Sequence, residues 1–527
     1  MSSSAEASIY PLKLRNVAYS YAEDAKPALQ AISLFAASGE WVHITGDSGS
    51  GKSTLAQLLC GYLPRTGGGI RSGELSVHGV DPAGEGAIRE VAERIGVVFQ
   101  DPDAQLVQGR VEDEVAFGPE NMCCELSEIE RRIVESLAAV ELSNYRMDNV
   151  HNLSGGQRQR AAIAAVLSME TPILVLDEPA ASLDAAAKER LLLLLDKLQQ
   201  QGRTIVTLSG RIDEFAVAAG RLIVLEHGNI ALDGPSERLL EQERINLVKL
   251  GLLSDRMQPG LERRASSMLK AEAEFEVEIE IEAEAEVHTQ KAPSNKLLME
   301  INNLSYAYDL NKGNVLKNIS LSLYAGEWKL LCGENGSGKT TLSRLFMGLL
   351  DPPKGKVWWR GQDIARLSLS DMAQDIGYVF QQPEHQFVAN TVLEELLFGP
   401  RAVHGLAPRE RTPEPMLERA QALLAIAGLR GKERLSPYML SGGEKRLLSV
   451  AAAMIVPKKL YILDEPTAGT DLHGAARLAA LCREAVASGA ALVMITHEPE
   501  LFAGEQAATW RMNQGSLETE DQLHFFK

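Results

Sequence analysis

Three motifs occur twice in this 527-residue chain, and each second copy lies 287 residues after the first. Gly46-Asp47-Ser48-Gly49-Ser50-Gly51-Lys52-Ser53-Thr54 returns as Gly333-Glu334-Asn335-Gly336-Ser337-Gly338-Lys339-Thr340-Thr341. Leu153-Ser154-Gly155-Gly156-Gln157 returns as Leu440-Ser441-Gly442-Gly443-Glu444, and Ile173-Leu174-Val175-Leu176-Asp177-Glu178-Pro179 as Leu460-Tyr461-Ile462-Leu463-Asp464-Glu465-Pro466. One offset shared by three motifs is a tandem repeat on the scale of a whole domain, far longer than a solenoid period. The chain is therefore expected to fold as two copies of one unit.

The first motif fits G-x-x-x-x-G-K-[ST]. Its glycines let the backbone curl until successive N–H groups point at phosphate oxygens. Lys52 and Lys339 then reach the β- and γ-phosphates, and the hydroxyls of Ser53 and Thr340 are placed for Mg²⁺. One match in a chain this long is compatible with chance; two with duplicated surroundings are not. The apolar run before Asp177, and its copy before Asp464, reads as a strand buried on both faces. The acid then stands at the strand's C-terminal edge, where open α/β sheets bind ligands. In that position Asp177 and Asp464 hold Mg²⁺ through water, and Glu178 and Glu465 polarise the attacking water. An Asp-Glu pair after a core strand is usually only a cap, but its order behind a P-loop argues against that. The Ser-Gly-Gly motif opens a helical pattern, Arg158 to Met169. Such a start presents N–H groups and a positive dipole end, which in most proteins is simply an N-cap.

With these motifs in this order the chain resembles the ATP-binding cassette family over nearly all its length outside a linker. The five-residue signature between P-loop and Asp-Glu strand is specific to that family. The resemblance implies an α/β fold of two P-loop NTPase (ABC) cassettes, each a RecA-like α/β core with an antiparallel β subdomain and a helical subdomain. It also implies ATP and Mg²⁺ as cofactors and a head-to-tail pseudo-dimer within one chain. ATP would lie between one cassette's P-loop and the other's signature. Gly46, Ser48, Gly49, Gly51, Lys52, Ser53 and Thr54 would face Ser441, Gly442, Gly443 and Glu444. Gly333, Asn335, Gly336, Gly338, Lys339, Thr340 and Thr341 would face Ser154, Gly155, Gly156 and Gln157. An aromatic ahead of the P-loop stacks on adenine in the family, which selects Tyr21 and Tyr308; the plainer alternative is a tyrosine packed in an edge strand.

Cassette one is expected over 8–250 and cassette two over 297–527, joined by an acidic linker, 251–296. The linker core, Glu272 to Glu286, carries Glu at every even position. As a strand it would set like charges on one face, so a solvated tether is expected. A helical pattern from Ser127 to Val140 belongs to the expected helical subdomain.

Gln100 and Gln381 end strand-like runs and match the family's glutamine loop, which touches Mg²⁺ and the attacking water and senses the transmembrane partner. Asp101-Pro102-Asp103-Ala104-Gln105 then leads to Phe117-Gly118-Pro119, and Gln382-Pro383-Glu384-His385-Gln386 to Phe398-Gly399-Pro400. These segments are similar to the ATPases of energy-coupling factor transporters, importers of vitamins and transition metals. That resemblance implies two partners, a transmembrane coupling subunit and a small membrane substrate-capture subunit, with the chain peripheral on the cytoplasmic face. Asp103 and Glu384 would meet arginines of the coupling subunit, although both also read as ordinary acidic residues of a helix start. Fused ATPases of this kind point to thiamine precursors as one cargo.

The cassettes differ at one catalytic position. His497, after Leu492-Val493-Met494-Ile495-Thr496, matches the family's γ-phosphate histidine. Cassette one has Gly210 there, followed by Arg211, which could take over the contact. The Gln157-to-Glu444 change falls in the same composite site under head-to-tail pairing, so the Lys339 site is expected to hydrolyse ATP faster than the Lys52 site.

Other readings fit less well. A tandem cassette ATPase acting on ribosomes usually carries a long basic helical linker, and a formal charge of −18 argues against nucleic acid as partner. Sugar-import tandems usually have more degenerate cassettes. DNA-repair cassettes need zinc-spaced cysteines, and Cys60, Cys123, Cys124, Cys332 and Cys482 lack that spacing. His151 and His385 have no partners at metal-ligand spacing. No apolar stretch reaches 18 residues, so no membrane span is expected.

Overall fold

The computed structural model describes residues 9–23, 26–181, 183–253, 296–309, 313–407 and 410–519. Its two compact units are Met1–Ala265 and Ser266–Lys527. The expected linker core lies outside the described residues.

In cassette one the strands are β1 Leu12–Ser20, β2 Leu29–Ala36, β3 Trp41–Thr45, β4 Ile70–Val77, β5 Ile95–Val98, β6 Ile173–Asp177, β7 Thr204–Ser209, β8 Arg221–Glu226 and β9 Asn229–Pro235. Six form one sheet in the order β5-β6-β7-β3-β8-β9, parallel except for β9, and three form an antiparallel sheet, β2-β1-β4. The parallel strands are apolar on both faces because both faces are covered. Trp41, Leu174, Leu176 and Ile205 join the core shared with the helices, while Val42, Ile44, Val175 and Val206 join the core against the small sheet. Successive strand residues point to opposite faces, so neighbours divide between the two cores.

Cassette two repeats the plan with β10 Leu297–Tyr306, β11 Leu316–Tyr324, β12 Trp328–Gly333, β13 Val357–Trp359, β14 Gln362–Asp363, β15 Ile376–Val379, β16 Leu460–Asp464, β17 Ala491–Ile495, β18 Ala507–Asn513 and β19 Ser516–Thr519. Its main sheet runs β15-β16-β17-β12-β18-β19, and its antiparallel sheet is β11-β10-β13-β14.

Strand order is what assembles the site. In cassette one Thr45 pairs with Ser209, and Leu208 with Asp177. The P-loop after β3, the loop after β7 and the Asp-Glu pair ending β6 therefore leave the same sheet edge. They come from chain positions far apart. The helical subdomains lie between P-loop and signature, as expected, with helices Val111–Asn121 and Leu126–Ala139 in one cassette and Val392–Val403 and Glu414–Ala427 in the other. The signature helix spans Gly155–Leu167, starting earlier than the Arg158 read from its apolar pattern. Ser154 is the N-cap, so both glycines are helical residues.

Candidate functional site

Each P-loop turns into its helix through a glycine in the left-handed region, Gly51 at φ 104° and Gly338 at φ 103°. The two lysines are buried and donate to carbonyls of their own loops. Lys52 Nζ lies 2.9 Å from the Asp47 oxygen, and Lys339 Nζ 2.7 Å from Gly333 O and 2.8 Å from Glu334 O. Tyr21 and Tyr308 stand beside these loops in matching ways. Their hydroxyls meet Thr54 Oγ1 at 2.8 Å and Thr341 Oγ1 at 3.1 Å. Both rings are more than half exposed, whereas Tyr19, the neighbour against which Tyr21 packs edge-on, is buried. The packed tyrosine is thus Tyr19, on β1 in the middle of its sheet rather than on an edge strand, and Tyr21 presents a free face at the loop.

Asp177 and Asp464 are 2% and 3% exposed, and each has an Oδ1 with no hydrogen-bond partner. An unpartnered buried carboxylate oxygen is costly unless a cation meets it. Burial raises the pKa of Asp177, against a lowering hydrogen bond from Ser53. Burial, with the neighbouring Glu465 charge, pushes Asp464 up to about 7. In cassette one the Ser53 hydroxyl and the orphaned Asp177 oxygen form a donor set that fits Mg²⁺, while in cassette two the hydroxyl on Asp464 is that of Tyr378, at 3.3 Å from Oδ2.

Glu178 and Glu465 both sit at positive φ, 52° and 50°. Non-glycine residues rarely adopt this conformation, and such strain gathers at functional positions. Each glutamate backbone N–H is anchored across the sheet edge, on Leu208 O at 3.0 Å and on Ile495 O at 3.1 Å. Nothing in the motif signals the turn.

Around these glutamates the cassettes part. His497 Nε2 lies 3.1 Å from Glu465 Oε1, and Gln381 Nε2 donates to Glu465 Oε2 at 2.8 Å. Arg446, from the signature helix Gly442–Met454, donates to Gln381 O at 2.8 Å and Glu465 O at 3.2 Å. Burial alone would raise the Glu465 pKa; the hydrogen bond and charge of His497, with Lys339 and Arg446, hold it below its ordinary value. Among the described residues no such hydrogen bonds join Gly210 or Gln100 to Glu178, whose pKa burial pushes up to about 7 against the charge of Lys52. At the position of Arg446 cassette one has Gln159, fully buried, with both side-chain polar atoms unpartnered.

The signatures are more alike than their sequences. Ser154 and Gln157 form a capping box, and so do Ser441 and Glu444. Glu444 also pairs with Lys432 at 2.5 Å, so the Gln-to-Glu change keeps the helix start and neutralises the added charge. The acids expected to meet a partner's arginines already hold internal cations. Asp103 pairs with Arg158 at 2.6 Å and Glu384 with Lys445 at 3.1 Å, both cations lying just after the signatures.

Two buried glutamates that no motif singled out, with the glutamine that ends the Asp101–Gln105 segment, steady this region. Glu114, 5% exposed, accepts from the N–H groups of Val107 at 2.8 Å and Gln108 at 2.7 Å. Glu395 does the same for Val388 at 2.9 Å and Ala389 at 2.8 Å. Gln105 grips Phe99 N and Val97 O. The only signal for the glutamates was their place three residues before each Phe-Gly-Pro. Glu395→Ala strips two backbone donors of their acceptor and is expected to cost about 2 kcal/mol. Glu395→Gln, which keeps one acceptor oxygen, should cost less. Denaturant unfolding of the two variants checks this order.

The family profile described as ABC transporter matches residues 29–181 and 316–468. The chain belongs to the ABC transporter family. Among curated ABC relatives, a protein of Bacillus subtilis (strain 168), provisionally named HMP/thiamine import ATP-binding protein YkoD, is 36% identical over 494 residues, 93% of this chain and 88% of its own length. A provisionally named ABC transporter ATP-binding protein of Methanosarcina mazei is 32% identical over 526 residues, covering 96% of this chain and 88% of its own. A solved structure of cbiO1 from Clostridium perfringens, described as part of the ABC transporter complex cbiONQ, is 32% identical and covers 50% of this chain and 99% of its own, with a TM-score of 0.41. The two ABC domains imply ATPase activity.

Proposed function

We propose that this chain is the ATP-hydrolysing motor of an energy-coupling factor type importer, working on transmembrane partners. Lys52 and Lys339 bind the β- and γ-phosphates, and Tyr21 and Tyr308 offer their exposed faces to adenine. Ser53 with Asp177, and Thr340 with Asp464, hold Mg²⁺, assisted by Gln100 and Gln381. The ion screens phosphate charge. Glu178 and Glu465 orient the attacking water and accept its proton.

The observation that carries the importer reading is a surface repeated in both cassettes. Val107 and Phe117 are 64% and 43% exposed, and Val388 and Phe398, their counterparts, 63% and 56%. Large apolar side chains kept in solvent at matching positions, beside loops gripped by buried carboxylates, favour a protein partner. No helix among the described residues is long and apolar enough to cross a membrane, so a transport role needs partner subunits to supply the spans. The name of the Bacillus relative supports HMP or thiamine as cargo. Asp103 and Glu384 present the loops through Arg158 and Lys445, and on partner binding exchange these cations for the partner's.

Affinity purification of the tagged chain from detergent-solubilised host membranes, read by mass spectrometry, tests this. A multi-span protein with a small membrane protein is expected. Asp103→Ala with Glu384→Ala should weaken their recovery while ATP binding persists. Ribosomal proteins without membrane partners would overturn the reading.

A further inference from the structure

Cassette one buries a histidine where cassette two has a leucine. His43 and its counterpart Leu330 lie on the strand that feeds the P-loop, and His43 is 0% exposed. Its two ring nitrogens meet Thr207 Oγ1 at 2.9 Å and Ser209 Oγ at 2.9 Å, both on β7. Trp41 Nε1 donates to Thr207 Oγ1 at 3.0 Å, and Ser209 Oγ donates to the Arg211 carbonyl.

Donor counting orders this chain. Ser209 spends its proton on the Arg211 carbonyl, so it accepts from His43 Nε2–H. Nδ1 of the neutral ring then accepts from Thr207, whose oxygen also accepts from the donor-only Trp41 indole. Asp213 Oδ1, 4.0 Å from Nε2, favours the same tautomer. Burial, aided by the Lys52 charge, depresses the ring pKa to about 3, so the ring stays neutral and the order holds.

Cassette two has no such chain. Met494 replaces Thr207, and Trp328 Nε1 is left without a partner. There Thr496 Oγ1 accepts from Glu498 N at 3.0 Å, and His497 itself contacts the catalytic glutamate. In cassette one the corresponding loop carries Gly210 and Arg211. The Arg211 charge acts on Glu178 and Asp213. Through Ser209, paired with Thr45, the loop leaves the sheet next to the P-loop.

We propose that His43 is a positioning residue of cassette one: through Ser209 it fixes the Gly210–Asp213 loop so that Arg211 serves the γ-phosphate in the absence of the histidine that cassette two uses. The inference rests on the ATP-binding reading above. A buried chain whose every proton is committed holds one geometry, because any reorientation leaves a donor unpaired.

The test uses the full chain with Lys339→Ala, so that nucleotide binding reports cassette one, and compares Mg²⁺-ATP with Mg²⁺-ADP affinity by titration calorimetry. His43→Leu with Thr207→Met installs the pair that cassette two already packs. Its ATP preference over ADP is expected to fall roughly tenfold, the size of one charge-assisted contact, with ADP affinity unchanged. Arg211→Ala should give the same selective loss, and combining it with the His43 pair should add nothing. Ser209→Ala, which leaves the histidine and its packing in place, should also lose ATP preference and guards against misfolding of the double variant. A merely structural role would weaken ADP and ATP together. An unchanged ATP-to-ADP ratio in both the His43 and Ser209 variants, or full additivity with Arg211→Ala, overturns the proposal. Absence of any nucleotide binding in the Lys339→Ala parent would instead count against the ATPase reading of cassette one.

Discussion

Glu465→Gln is expected to lower steady-state ATPase activity about a hundredfold or more, and Glu178→Gln only about threefold or less. Both changes keep side-chain size and remove the carboxylate. They differ in what surrounds it. Glu465 is held by His497 on one oxygen and Gln381 on the other, and Arg446 ties its backbone to the glutamine loop and the signature helix. Its carboxylate is therefore oriented and kept ionised. Glu178 faces Gly210 instead of a histidine, and Gln159 makes no bond in place of Arg446. The first departure was legible as a missing histidine. The second was not, because Gln159 and Arg446 are unremarkable in a helix until their burial is known. Phosphate release from the two single variants and their parent decides the matter, and equal losses would argue against unequal cassettes.

Gly333→Ala is expected to destabilise cassette two by about 3 kcal/mol and to abolish nucleotide binding there. Gly333 has φ +143°, and an added Cβ would stand 2.2 Å from the Met512 carbonyl oxygen. That oxygen cannot retreat cheaply, since Gly333 pairs with Met512 in the β12–β18 ladder. Relief has to come from the loop, which moves its N–H groups off the phosphates. Gly336→Ala provides the contrast. Its φ is +79°, yet nothing lies within 4 Å of the added Cβ, so only backbone strain is incurred, about 1 kcal/mol. Thermal unfolding with and without ATP should show a midpoint drop of roughly 6–12 °C for the first variant and a quarter to a half of that for the second. Similar small shifts for both would mean that the ladder yields more easily than its hydrogen bonds suggest.

Much of the site could be read without coordinates, for a physical reason. Phosphate cradling, the cap of the signature helix and the acid ending a buried strand are local devices. Each needs particular residue types within a few positions, so it leaves a pattern that duplication makes unmistakable. The apolar runs of β6 and β16 were legible as strands buried on both faces, and the layering of sheet and helices was implied by the family resemblance. Tyr21 and Tyr308 were chosen by position and stand at their P-loops.

Local patterns say nothing about which strand lies beside which. The register that sets Thr45 against Ser209 joins residues of β3 to residues of β7, and only that adjacency turns His43 from an odd polar residue in a strand into one link of a hydrogen-bonded chain. The same holds for Asp103 and Glu384, whose acidity was visible while their internal partners Arg158 and Lys445 were not. It holds again for Glu114 and Glu395, whose burial makes them anchors for a loop. The two cassettes, their nucleotide chemistry and the missing histidine are properties of chain order. Which side chains hold the catalytic glutamates, and how differently the two are held, depends on contacts between segments distant in sequence, and packing alone creates those.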